Sequence, residues 1–194
     1  MPAPDDPLSL LEDLISQATA LGIKNPGAVV VSTVDAAGQP SSRQVLLKGL
    51  DQRGLVFYTN LESRKAIEIA DNPRVSLNFY WREIGWQAIV LGVAEPVADE
   101  EADAYFASRD RGSQIGAWAS RQSRPLLSRE TLEREAAEVE GRFGDGEVPR
   151  PPFWSGFRVV AHRIELWHER EHRLHDRTVF ELEEAGWRSY RVYP

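Results

Sequence analysis

AVVVSTVDAAGQPSSRQVLLKGLDQRGLVFYT, Ala28 to Thr59, is a succession of short β-rich runs separated by turn chemistry. AVVVSTV gives way to Asp35-Ala-Ala-Gly38, RQVLLKGL gives way to Asp51-Gln-Arg-Gly54, and LVFYT follows. Each interruption pairs an acid with a glycine, residues that initiate and close tight turns. The gaps leave no room for crossover helices, so these strands form an antiparallel meander.

Outward from this meander the periodicity changes. On the N-terminal side Asp6 and Pro7 supply a cap and a first-turn proline. Leu8, Leu10, Leu11, Leu14, Ile15 and Ala18 then recur at the helical period up to Gly22, which predicts one amphipathic helix over about 6–21. On the C-terminal side a short helix is expected from about Ser63 to Ala70, closed by Asn72-Pro73. RVSLNFYW and QAIVLGVAEPV then read as strands around Ile84-Gly85, with Val75, Leu77, Phe79 and Trp81 on one face. Asp99 to Phe143 is helical in character, with breaks near Asp110 to Gly112 and Ser120 to Pro125. Past Pro149, Pro151 and Pro152 the sheet resumes in FRVVAHRIELWH, RLHDRTVFEL and WRSYRVY. The expectation is an α+β fold, mainly antiparallel β: one domain over 1–194, with six or seven strands curled into a closed or half-closed barrel and helices at its periphery. Closure removes exposed strand edges.

The chain of 194 residues carries 23 Lys+Arg against 30 Asp+Glu, a formal charge of −7. That balance argues against a general nucleic-acid or anionic-membrane partner, so any anionic ligand needs a local basic cluster. The lack of cysteine excludes disulfides, thiolate catalysis and Cys-type zinc sites. MPAPDDPLSLLEDL lacks the basic and apolar regions of a secretory signal, and no apolar run approaches a membrane span, which predicts a cytoplasmic protein.

Four stretches can carry chemistry. As a strand, Arg173-Leu174-His175-Asp176-Arg177 places Arg173, His175 and Arg177 on one face, either to bind an anion together or as a solvated face balanced by Glu169 and Glu171. Arg64-Lys65 follows Tyr58-Thr59-Asn60, where a strand hands over to a helix whose first N–H groups attract phosphate; the alternative is a helix surface paired with Glu62 and Glu68. Arg43 and Lys48 face opposite ways on a regular strand and share a pocket only if the strand bends or the pocket lies between subunits. RGSQIGAW, Arg111 to Trp118, reads either as a ligand-facing segment or as a helix start with Ser113 as cap and Ile115 and Trp118 in the core. His168, His172 and His175 have superficially metal-like spacing, but on a strand His175 faces away from the other two, and no metal site is expected. GxSxG, P-loop and GxGxxG motifs are absent.

Together RQVLLKG, FYTNLESRKA, FYWRE, YFASRDRGSQIGAWASRQS, GEVPRPPFWSGFRV, IELWH and RLHDR resemble the pyridoxine/pyridoxamine 5′-phosphate oxidase family, in order and over nearly the whole chain. RGSQIGAWAS, SRQS and RLHDR are specific to that family within the wider set of flavin-binding split barrels. The resemblance implies an FMN-binding split β-barrel that forms a homodimer with FMN at the interface. It implies that FMN is held by Arg43, Gln44, Val45, Leu46, Leu47, Lys48, Tyr58, Thr59, Arg64, Lys65, Gln87, Gln122, Ser123, Trp167 and Arg177. It further implies that the substrate phosphate meets Lys48, Tyr105, Arg109 and Ser113, and that Arg173 and His175 lie over the substrate ring as the catalytic pair. The implied reaction oxidises pyridoxine or pyridoxamine 5′-phosphate to pyridoxal 5′-phosphate, with hydride passing to flavin N5 and O2 reduced to H2O2, and it requires no metal. Two other expectations stay open: an FMN-dependent relative acting on another small cyclic substrate, and a non-catalytic protein that binds FMN or pyridoxal phosphate. The sequence departs from the family pattern at Trp86, where Arg is usual, and at Asp110, where Pro is usual. Many members also carry a longer N-terminal segment that helps cover the substrate; here the sequence opens almost at its first helix, and that cover is expected to be absent or replaced.

Overall fold

The computed structural model describes residues 6–194; the first five residues of the opening stretch read above for targeting lie outside it. The first helix, α1, spans Pro7–Ala20. Its Asp6 cap accepts from the Leu8 and Ser9 amides at 3.1 and 3.2 Å and from the Gln52 side chain at 2.7 Å, which ties the helix start to the Asp51–Gly54 turn. Leu8, Leu11, Leu14 and Ala18 are the buried face, as the period requires.

The stretch expected to form one meander forms two hairpins instead, β1 (Ala28–Val34) with β2 (Pro40–Leu46) and β3 (Gly49–Asp51) with β4 (Gly54–Asn60); β2 and β3 do not pair, because the chain turns away at Leu47-Lys48 and the two hairpins join opposite ends of the sheet. After α2 (Arg64–Asp71) come β5 (Arg74–Trp81) and β6 (Trp86–Pro96). Three helices follow, α3 (Asp99–Ala107), α4 (Arg111–Ala119) and α5 (Arg129–Phe143), and then β7 (Trp154–His168), β8 (Asp176–Glu183) and β9 (Gly186–Arg191). All strands join one nine-stranded sheet in which every pairing is antiparallel. Nine strands replace the six or seven expected, in part because RQVLLKGL is not one run. It breaks at Leu47 and Lys48, whose amides leave the β1–β2 ladder to bond Gly27 O and Val56 O at 2.8 Å each.

The strand order runs β2-β1-β5-β6-β7-β4-β3. Its two ends, β2 and β3, are separated in the chain only by Leu47-Lys48, so the sheet must curl until its edges approach. The curl wraps a core in which Val31, Phe57, Leu77, Phe79, Val90, Val159 and Ile164 lose all contact with water. Val75, Leu77, Phe79 and Trp81 do share the inward face of β5.

β7 organises the rest. One edge pairs with β6 from Phe157 to His168. The other edge pairs first with β4, ending at Val159↔Leu55, and then with β8, beginning at Arg163↔Glu181. The sheet therefore forks along β7. The strand expected to start at Arg173 starts only at Asp176, because His172 and Arg173 both adopt left-handed backbone, φ 56° and 62°, in a short 3-10 turn that strand geometry cannot include. Arg173, His175 and Arg177 consequently do not form one strand face.

Gly54 marks where the β3–β4 hairpin presses on this spine. Its φ is +132°, and a Cβ there would stand 2.2 Å from the Val159 carbonyl oxygen of β7. Gly54→Ala is expected to cost about 2–4 kcal/mol through backbone strain and this clash. Urea unfolding followed by circular dichroism measures the loss, and an unchanged midpoint would contradict the close approach.

Candidate functional site

β4 ends in Tyr58, Thr59 and Asn60 at the mouth of a cleft of about 470 Å³, a volume suited to a small-molecule cofactor. Its other walls are the end of β2 with Lys48, Tyr105 from α3, Arg109 and Ser113 around the start of α4, and Trp154 at the head of β7. The break at Leu47-Lys48 is the bend that lets Arg43 and Lys48 line the same cavity. Four cations, Arg43, Lys48, Lys65 and Arg109, converge here with no Asp or Glu among the lining residues, although the whole chain is at −7.

The adjacent pair Arg64 and Lys65 divides. Lys65 turns inward and is buried, its Nζ donating to Thr59 Oγ1 at 3.1 Å, Ser63 Oγ at 3.2 Å and Gln122 Oε1 at 2.6 Å. Burial, reinforced by the nearby Arg43 charge and partly offset by Glu68, pushes its pKa down to about 8. Arg64 turns away to Glu68, Nε to Oε1 2.7 Å, and lines a neighbouring hollow with Ser123. Its backbone N–H, one of the orphan donors at the start of α2, is taken by Ser123 Oγ at 3.2 Å. The Glu68 pairing is thus right for Arg64 and wrong for Lys65, because consecutive helical residues lie about 100° apart.

Glu68 is a buried carboxylate that receives Arg64, Arg43 Nη2 at 3.3 Å, Ser41 Oγ at 2.7 Å and the Thr33 hydroxyl. Burial alone would raise its pKa; the hydrogen bonds from Thr33, Ser41 and Arg64 outweigh that and bring it down to about 2. It therefore stays ionised and fixes Arg43 at the cleft edge.

On α4 the cap is Asp110, not Ser113: Asp110 Oδ1 accepts from Ser113 N at 2.8 Å, because the helix already begins at Arg111. The unusual acid at 110 therefore has a local structural role, and Ser113 faces the cleft. Ile115 is buried as expected, and Trp118 is partly buried with its Nε1 donating to Pro149 O at 2.7 Å. Tyr58 and Tyr105 stack at 4.0 Å, and Trp154 lies parallel to Tyr58 at 5.4 Å. Gly156, opposite Tyr58 in the ladder, leaves room for the Tyr58 ring; a Cβ there would come within 2.7 Å of it. Asn60, Gly116, Ala117, Ser120 and Trp154 also line the cleft; each lies in a stretch quoted from the sequence, but none is assigned a contact there. Trp154 sits inside the FWSGFRV motif, but no spacing marks it.

A second group lies elsewhere. Gln87, Trp167 and Arg177 stand opposite one another across β6, β7 and β8, forming one row. His175 packs on Trp167 at 4.5 Å and accepts at Nδ1 from the Arg170 amide at 3.1 Å. Arg177 is held by buried Glu165, Nε to Oε1 2.8 Å, rather than by Glu169 or Glu171. Arg173 is exposed on its left-handed turn. Trp86 stacks on His168 at 4.2 Å and 6° beside this row. None of these residues lines the cleft. Trp154 and Trp167 stand near opposite ends of β7, roughly 40 Å apart along extended chain.

The matches to known proteins span both groups. Residues 15–143 match the family model described as pyridoxamine 5′-phosphate oxidase, and residues 154–194 match the pyridoxine 5′-phosphate oxidase C-terminal dimerisation region. The chain belongs to the pyridoxine/pyridoxamine 5′-phosphate oxidase family. It is 53% identical over 192 residues to the pyridoxine/pyridoxamine 5′-phosphate oxidase of Rubrobacter xylanophilus, covering 99% of this chain and 88% of that one. The relative of the same name from Myxococcus xanthus is 53% identical over 191 residues, covering 98% and 93%. Among solved structures, PhzG from Burkholderia lata 383 in complex with tetrahydrophenazine-1-carboxylic acid superposes with TM-score 0.93 at 32% identity, covering 100% of this chain and 95% of that one. Family membership agrees with the curled antiparallel sheet, and the dimerisation region contains the whole of β7, β8 and β9. No helix among the described residues is long and apolar enough to cross a membrane.

Lys65 gives the cleft a pH signature. In the ligand-free protein, folded Lys65 releases its proton near pH 8, whereas the unfolded side chain holds it to about 10.5. Between those values the unfolded chain binds more protons, so this group makes stability rise with pH, by at most about 1.4 kcal/mol per unit. Urea melts across that range should show a steeper rise for the parent than for Lys65→Met. Equal slopes would mean that Lys65 is not buried as a cation.

Proposed function

We propose that this protein is an FMN-dependent oxidase that converts pyridoxine 5′-phosphate or pyridoxamine 5′-phosphate to pyridoxal 5′-phosphate. The observation that carries this reading is the cleft with four cations and no carboxylate in an acidic chain of this family. Two phosphorylated ligands, cofactor and substrate, call for such a concentration of positive charge. The donor set fits them: Lys65 and Arg43 are suited to the cofactor phosphate, with Thr59 and Gln122 beside them, while Arg109 Nη1 is buried without a hydrogen-bond partner. Bound FMN would supply the hydride acceptor and the reaction with O2.

The chain's own residues then bind and orient. Lys48, Tyr105, Arg109 and Ser113 take the substrate phosphate. Gln87, Trp167, Arg177, Arg173 and His175 cannot line the same cleft within one chain as it folds here, and we assign them to the cleft of a second copy, giving a homodimer with the cofactor between subunits. The separation along β7 and the match to a dimerisation region support this assignment. His175 accepts a backbone N–H at Nδ1, so its neutral ring carries the proton on Nε2 and presents a donor. With the Arg173 guanidinium it orients the substrate and stabilises developing negative charge, in preference to removing a proton.

The likeness to PhzG, whose structure holds a cyclic carboxylic acid, favours one second reading: oxidation of an unphosphorylated cyclic carboxylate. The deciding experiment is anaerobic titration of the FMN-loaded protein with pyridoxine 5′-phosphate and pyridoxamine 5′-phosphate, then admission of air. Flavin bleaching, recovery in air and formation of pyridoxal phosphate are expected. Bleaching only by a cyclic carboxylate would support the second reading; flavin bound but never bleached would point to a binding protein. Arg173→Ala and His175→Ala should each lower kcat by about 10²-fold or more while leaving FMN content unchanged. Parallel loss of both would instead place these residues in cofactor binding.

A further inference from the structure

Arg109 is held differently from four other partly buried arginines. Arg43, Arg150, Arg158 and Arg177 each reach a carboxylate, Glu68, Asp103, Glu101 and Glu165 respectively. Among the described residues none pairs with Arg109, and the neighbouring Asp110 carboxylate is engaged by the start of α4. The Arg109 guanidinium instead lies over the Trp154 ring, 4.8 Å from its centroid, and 5.5 Å from that of Phe106. Phe106 meets Trp154 edge-on at 5.0 Å, so the two rings make a corner. Trp154 is itself 6% exposed and backed by Tyr58, which fixes its plane.

An aromatic face attracts a guanidinium without consuming its N–H donors, whereas a carboxylate both neutralises the charge and occupies the donors. The consequence is visible here. Among the described residues, Arg109 Nη1 is the buried side-chain nitrogen left without a partner. A buried donor in that state costs free energy until an acceptor arrives.

We propose that Trp154 is a positioning residue that holds Arg109 by its ring face, so that the guanidinium is fixed yet open to the anionic group of the substrate. This rests on the phosphorylated-substrate reading above and adds a specificity determinant to it: the Trp154–Arg109 pair sets discrimination between phosphorylated and unphosphorylated substrates.

The test uses the FMN-loaded full chain with pyridoxamine 5′-phosphate and unphosphorylated pyridoxamine. Trp154→Leu should raise KM for the phosphorylated substrate about tenfold, the scale of a desolvated cation–π contact, and Trp154→Phe about two- to threefold. In both variants kcat for the phosphorylated substrate should stay within about twofold of the parent, and kcat/KM should fall by a larger factor for pyridoxamine 5′-phosphate than for unphosphorylated pyridoxamine, which offers Arg109 no phosphate to meet. In an Arg109→Met background, Trp154→Phe should have no further effect on KM. Equal losses toward both substrates, or full additivity with Arg109→Met, would overturn the inference. Should Trp154→Leu fail to fold, Trp154→Phe and the Arg109→Met cycle decide the matter. Equilibrium titration with pyridoxal 5′-phosphate separates the two levels. Parent protein that neither turns over nor binds the phosphate ester removes the reading of the cleft, and the inference with it. Parent binding that is unmoved by the Trp154 and Arg109 substitutions removes the inference alone.

Discussion

One strand must satisfy three others. Along one edge β7 has β6; along the opposite edge its first half is paired with β4 and its second half with β8. A ladder edge offers each residue's hydrogen bonds once, so β4 and β8 cannot overlap, and the sheet divides between Val159 and Arg163. That division sends Tyr58, Thr59 and Trp154 toward one end of β7 and Trp167, Arg177 and His175 toward the other. The cleft and the second residue group are two consequences of the same fork.

Electrostatics follows the same architecture. The chain is acidic, and its carboxylates are used to hold cations in place: Glu68 fixes Arg43 and Arg64, and Glu165 takes Arg163 and Arg177. No carboxylate lines the cleft, and of its cations Lys48, Lys65 and Arg109 rest on hydroxyls, an amide and aromatic rings. Lys65 and Arg109 retain their appetite for an anion because their partners are neutral. Burial penalises both charges, and it makes an incoming phosphate more valuable there than in water.

Much of this was legible in the chain. Asp6-Pro7 and the spacing from Leu8 to Ala18 specify α1, since a cap and a 3.6-residue period are local properties. The alternation from Val75 to Trp81 specifies β5 for the same reason. The odd spacing of Arg43 and Lys48 left a strand bend or a pocket between subunits as the ways to bring them together, and a bend is found at Leu47-Lys48. The strand through Arg173 to Arg177 failed because two consecutive left-handed residues, His172 and Arg173, carry no glycine or other signature. Ser113 has the residue type of a cap, but Asp110 stands three residues earlier and accepts from the Ser113 amide, so the helix begins before Ser113.

Sequence alone determined the local elements, the antiparallel class, the acid balance and the family motifs, because each depends on residues close together in the chain or on identity at matched positions. Tertiary structure decided which cations share a cavity, which acids restrain them, and that Arg109 rests on Trp154. Those pairings join residues tens of positions apart, brought to one end of β7 by strand pairings and helix packing that no local pattern specifies.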